Sequence, residues 1–201
     1  MHGFDTGRVP TAERARLVVD RLTESVRCRV SILGDLASVE ARWSCCELSP
    51  GTEVGRYAGS AVRLTRRDAD VQAWPADRLA FVVPGCAGST LWQDGRLRRL
   101  DADALALVDV GAPYDYRGRP GVLSVVQLDL LTSGTTAQGA RAAAPRLDRS
   151  SLYELARDHV RSLAASALPG MQLAALDDLG TATARLLSAL LLSCGSAADA
   201  R

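Results

Sequence analysis

Asp94-Gly95 is the dipeptide that most constrains how this sequence can fold. A two-residue type I′ turn needs a positive φ at both central positions, and Asp-Gly supplies it. Leu91-Trp92-Gln93 enters the turn and Arg96-Leu97-Arg98-Arg99-Leu100 leaves it, so a hairpin is expected here. An apolar run at 79–83 precedes it and a second at 104–110 follows. The latter ends at a turn around Gly111-Ala112-Pro113-Tyr114, and 122–128 reads as a further strand. The centre of the chain is therefore a β-meander.

Strands are also expected before the meander. Residues 29–33 form a short one, turned by Gly34-Asp35. Between 37 and 48 the period is two: Ala37, Val39, Ala41, Trp43 and Cys45 share one face, and Ser38, Glu40, Arg42 and Ser44 the other. That alternation marks a half-buried strand. Ser49-Pro50-Gly51-Thr52 is a turn, and 54–64 can hold another strand, weakened by Gly55 and Gly59. Asp68-Ala69-Asp70 breaks it, and Trp74-Pro75 favours extended backbone. About seven short strands at regular spacing indicate a sandwich or a barrel.

Helices flank the strands. Residues 11–26 carry Leu17, Val18, Leu22 and Val26 at helical spacing, with Thr11 as an N-cap candidate. Residues 137–146 read as a loop or frayed helix. A helix over 150–167 has Ser150 and Ser151 as N-cap candidates, and Glu154 completes a capping-box pattern. Pro169-Gly170 stops it, and a second helix runs over 171–194 with Gly195 as C-cap. Gly180-Thr181 is a weak point in it. Its leucines exceed what one packing face requires, so Leu179, Leu186, Leu187, Leu190 and Leu191 are expected to meet a second copy of the chain. The expected division is an arm and helix at 1–26, a β-domain at 27–132, a linker at 133–149, a helical dimerisation hairpin at 150–195 and a tail at 196–201.

Composition and counts remove several function classes. A net charge of +1 gives no electrostatic drive toward nucleic acid or an anionic membrane, although all 24 basic residues are Arg. The longest apolar stretch, 186–192, is interrupted by Ser188 and too short to span a bilayer. Five cysteines with no Cys-x-x-Cys spacing, behind a polar start, lead us to expect reduced thiols and a cytoplasmic location. With only His2 and His159, a metal centre built from several histidines is excluded by count. No Gly-rich nucleotide loop and no nucleophile triad appear, and no cofactor is expected. Cys45-Cys46 places one thiol on each face of its strand.

Several stretches, in order, resemble the sensor half of AraC/XylS-type transcription regulators. These are Gln93-Asp94-Gly95-Arg96 at the hairpin, Leu105-Ala106-Leu107-Val108-Asp109 with Pro113-Tyr114, the strand at 122–128, Val62-Arg63-Leu64-Thr65-Arg66, and the paired helices after a linker. The resemblance covers roughly residues 26–193. It implies a mainly β fold with helices: a cupin-like β-barrel followed by two antiparallel α-helices. It also implies ligand sensing and dimerisation. Asp101-Ala102-Asp103 stands where the family often has Pro-Gly-Asp. The family's two helix-turn-helix motifs, on the order of 100 residues, have no counterpart after Gly195, so direct nucleic-acid contact is not expected.

A metal-free barrel mouth is a ready small-molecule pocket. Trp43, Tyr57, Arg63, Phe81, Tyr114 and Gln127 are its expected liners. The reading from sequence is a small-molecule-sensing, homodimeric regulatory domain that can pair with a full-length regulator. The alternative is a metal-free cyclase or isomerase acting on an apolar metabolite in the same pocket.

Overall fold

The computed structural model describes residues 2–166 and 170–196. The chain opens with β1 (His2–Asp5), α1 (Thr11–Val26), β2 (Arg29–Ile32), β3 (Ala41–Ser49), β4 (Thr52–Gly59), β5 (Val62–Arg66) and α2 (Asp68–Ala73). The meander region supplies β6 (Arg78–Pro84), β7 (Ser89–Gln93), β8 (Arg96–Leu100), β9 (Ala106–Asp109), β10 (Tyr114–Arg117) and β11 (Gly121–Asp129). Then come α3 (Leu130–Ser133), α4 (Ala137–Ala143), a 3-10 helix (Ala144–Arg149), α5 (Tyr153–Ala165) and α6 (Leu173–Ser196).

The strands form two sheets, ordered β1-β3-β4-β11-β6-β9 and β2-β5-β10-β7-β8. The hairpin is as the sequence dictates: Asp94 and Gly95 have φ of 52° and 71°, and β7 pairs with β8 from Gln93↔Arg96 to Ser89↔Leu100. The expected barrel is not closed. Among the described residues no strand pair joins the two sheets. Val18 and Leu22 of α1 instead pack with Val39, Trp43 and Val62, so a helix covers the interior where a strand pair would otherwise seal it.

The central strands of the larger sheet serve two cores. On β6 and β9, Ala80, Val82, Ala106 and Val108 cluster with Leu91, Tyr114 and Tyr116 of the smaller sheet. The alternate residues Leu79, Phe81, Val83 and Leu107 cluster with Val160 of α5 and Leu187 and Leu190 of α6. A sheet covered on both faces needs apolar residues at consecutive positions, which is why 79–83 carries no alternation. Burying each such leucine is worth roughly 1.5–3 kcal/mol.

Several local expectations are corrected. The start of the chain is a strand, and His2 lies on it opposite Cys45. Residues 54–64 make two strands, because the chain turns after Gly59, where a Cβ would sit 2.3 Å from the Glu40 carbonyl. Residues 36–38 form a 3-10 turn, so the alternating strand begins at Ala41. Residues 68–73 are helical, with Asp70 accepting from Arg67 N–H at 2.9 Å. Tyr114 begins a strand that pairs with both β5 and β7. The linker is packed: Ala140, Ala143 and Leu147 are buried. Pro10, not Thr11, is the N-cap of α1, and no side chain caps α5; Ser150 Oγ instead accepts from Leu152 N–H at 3.1 Å. Gly195 lies inside α6. Gly180 marks a close approach: a Cβ there would meet Ser49 Oγ at 2.3 Å and Ser49 N at 2.9 Å. Of the expected tail at 196–201, Ser196 is the last residue of α6; the rest of it, the expected end of α5 at Ala167 and the stop at Pro169 lie outside the described residues.

Candidate ligand-binding site

The site is built on β3 and β4. Inward residues recur at every second position, and Trp43 stands opposite Tyr57 in register. Gly55, two residues before Tyr57, gives the indole its space: a Cβ there would lie 2.5 Å from Trp43 Cη2. Trp43 and Tyr57 border an apolar cavity of about 70 Å³ between the sheets, with Tyr114, Tyr116, Val125 and Gln127 among its walls. Above it opens a cleft of about 940 Å³, flanked by His2 and Phe4 of β1, the end of α1, and Arg66 and Arg78. Val26, Trp43, Val110 and Gln127 line both spaces, so the cavity is the floor of the cleft.

The two spaces differ in polarity. In the cleft Arg78 donates from Nε to Asp129 Oδ1 at 2.7 Å and from Nη1 to Glu53 Oε2 at 3.2 Å. Arg66 is only 1% exposed. It donates to the Arg27 carbonyl at 2.5 Å and to the Trp74 carbonyl, tying the end of α1 to the end of α2. Its Nε and Trp43 Nε1 are buried donors with no hydrogen-bond partner among the described residues. Buried polar groups are satisfied in the great majority of cases, so these two donors are exceptions within the interior.

The hydroxyls and thiols of the interior hold their protons. Burial pushes the Tyr57 and Tyr114 hydroxyls up, and Tyr57 donates to the Ser60 carbonyl at 2.7 Å. Burial pushes the Cys28 thiol, beside Tyr114, up to about 11. The Cys45 thiol is raised as well, first by burial and then by Glu53. These groups are therefore uncharged near neutral pH. Among the described residues no three His, Cys, Asp or Glu side chains gather as a metal site. His159 is on α5, hydrogen-bonded through Nε2 to Thr183 Oγ1 at 2.9 Å, and burial lowers its pKa.

The structure brings together Trp43, Tyr57, Tyr114 and Gln127. Arg63 and Phe81 are elsewhere. On β5, Val62, Leu64 and Arg66 alternate with Arg63, which pairs instead with Asp115 across the sheet. Phe81 has inward-facing neighbours at 80 and 82, and itself joins the helix-side core. Leu187, Leu190 and Leu191 are buried in that same core, and Leu179 and Leu186 pack against it. The surplus of leucines is thus largely consumed within the chain. Sequence reading missed Arg66, Val26, Val110 and β1. The alternation Val62-x-Leu64-x-Arg66 was a usable signal for Arg66; nothing local signals β1.

No protein-family model matches the chain, and no curated protein matches it either. Among solved structures the chain is similar to the AraC-like transcriptional activator CuxR, with TM-score 0.75 at 10% identity, over 95% of this chain and 69% of that one. A cupin domain of Cnp3 from Schizosaccharomyces pombe aligns with 44% of this chain and 64% of its own, at 11% identity and TM-score 0.34. A cupin domain of an XRE family transcriptional regulator from Enterobacter cloacae aligns with 43% of this chain and 95% of its own, at 18% identity and TM-score 0.30. No helix among the described residues is long and apolar enough to cross a membrane. The chain shares its fold with the part of the AraC-like activator that it matches.

Proposed function

We propose that the chain is a small-molecule-sensing regulatory domain of the AraC type. The observation that carries this reading is the two-tier site, a charged cleft over an apolar cavity with Trp43 and Gln127 at the boundary. Such a site suits a ligand with an apolar end and a polar end, the apolar end seated between the sheets against the Trp43 ring and the polar end toward Gln127 and the charged groups of the cleft. His2 and Phe4 of β1 flank the cleft, so ligand occupancy and the seating of β1 bias one another. Dimerisation through the helical layer belongs to the same proposal on a narrower base. The large apolar residues that α5 and α6 leave exposed are Leu155, Leu173 and Leu192.

Native mass spectrometry of the purified chain tests this directly. The expected result is a retained small molecule that is lost in Trp43→Ala and Gln127→Leu while circular dichroism stays unchanged. A chain that retains nothing, and whose Tm no amphipathic metabolite raises, is a filled scaffold, and the reading fails.

A further inference from the structure

A second cleft, of about 480 Å³, shares no lining residue with the first. It lies between the β7–β8 hairpin and the α4 segment with the 3-10 helix after it. Four arginines border it, Arg96, Arg98, Arg141 and Arg146, along with the carboxylates of Asp94 and Asp109. Arg141 serves both acids loosely, with Nη1 3.7 Å from Asp94 and Nε 3.5 Å from Asp109. Asp109 is 3% exposed, and its Oδ1 accepts from Gly111 N–H at 2.9 Å. Arg96, Arg98 and Arg146 have no ion-pair partner among the described residues.

Arg98 is the telling member. It is partly buried, and its Nη1 and Nη2 donate to the carbonyls of Ala144 at 3.2 Å and Leu107 at 2.7 Å. Those bonds fix the guanidinium between hairpin and helix but use only two of about five N–H donors. Burial lowers its pKa, and the nearby Asp94 carboxylate offsets that loss of water only in part. A partly desolvated guanidinium held rigidly in place, with two unpaired arginines beside it, is the arrangement that recognises a multiply charged oxyanion. A cleft of this volume is larger than a bare inorganic anion requires.

We propose that this cleft is a second, separate site that binds a phosphate-bearing small molecule, its phosphate oxygens held by Arg98 with Arg96 and Arg146. Arg141 is held back by Asp94 and Asp109 and is the member an arriving anion would recruit from them.

The test is isothermal titration calorimetry of the full 201-residue chain at low ionic strength, with inorganic pyrophosphate in one arm and adenosine diphosphate, both without magnesium, in the other. Saturable binding is expected. Equal affinity for the two probes assigns recognition to the phosphates alone; tighter binding of the nucleotide assigns it to a phosphorylated metabolite. The double variant R96E/R146E should weaken binding by at least about tenfold. R99E/R117E, at two exposed arginines outside the cleft, should leave it unchanged. Arg98→Lys keeps the charge but not the fork and should also weaken binding; the exposed pair keeps the test decisive should that variant misfold. Absence of binding by either probe, or equal loss in both double variants, overturns the proposal.

Discussion

Trp43 lies against Gly55 on the neighbouring strand so closely that the ring occupies the volume any other residue's Cβ would need, 2.5 Å from Cη2. Gly55→Ala should therefore destabilise the fold by about 1–3 kcal/mol through overpacking. Trp43→Phe removes the atoms that clash, so the double variant should recover part of that loss. A double-mutant cycle from urea denaturation measures the coupling, and strictly additive effects would contradict the contact.

Gly180→Ala sets two terms against each other. Helix propensity favours Ala by about 1 kcal/mol. Against it, the new methyl would meet Ser49 Oγ at 2.3 Å, Ser49 Cβ at 2.7 Å and Ser49 N at 2.9 Å. Backbone cannot rotate away as a side chain can, so we expect net destabilisation of about 1–3 kcal/mol, and Ser49→Ala should not rescue it. Thermal denaturation of the two single variants and the pair checks this.

The thiols should separate by reactivity. Cys86 is exposed, whereas Cys28 is buried with its pKa pushed up to about 11. At pH 8 only about one Cys28 in a thousand is then thiolate. Iodoacetamide followed by peptide mass spectrometry should find Cys86 alkylated first and Cys28 only on unfolding. The same shift sets a pH dependence. A thiol whose pKa is higher in the folded state than in the unfolded one favours folding by retaining a proton. Its contribution is largest below the ordinary thiol value of 9.0 and is lost as pH rises toward about 11. Cys28→Ser should flatten that alkaline decline.

Arg63 pairs with Asp115, Nε to Oδ1 at 2.9 Å, on a partly exposed sheet face. Arg63→Ala should cost less than about 1 kcal/mol and leave small-molecule retention in the mass spectrometer intact. Loss of the ligand in this variant would return Arg63 to the site.

Where one face of a strand meets water, the sequence says which side chains point in. The alternation at 41–45 places Trp43 and Cys45 in the interior, and Asp94-Gly95 fixes the hairpin to the residue. Where both faces are covered, period two vanishes, and Phe81 cannot be told from its neighbours until the helices are seen to lie over it. β1 and β10 are four residues each, too short to show a period. Openness of the barrel depends on which strands pair at the edges, a long-range property that no local pattern encodes. The leucines of α6 signalled a large apolar contact, and Leu187, Leu190 and Leu191 are buried against the chain's own larger sheet.

β3 carries the indole of Trp43 near one end and Ser49, pressed against α6 at Gly180, at the other. Six residues of extended chain span roughly 20 Å. The one strand thus runs from the floor of the cleft to the helical layer, and at its far end, past a register irregularity between Glu47 and Ser49, it meets a helix backbone with no side chain of Gly180 between. On the proposed reading, a displacement of β3 at the Trp43 end would meet α6 as a contact with its backbone, not with a side chain free to change rotamer.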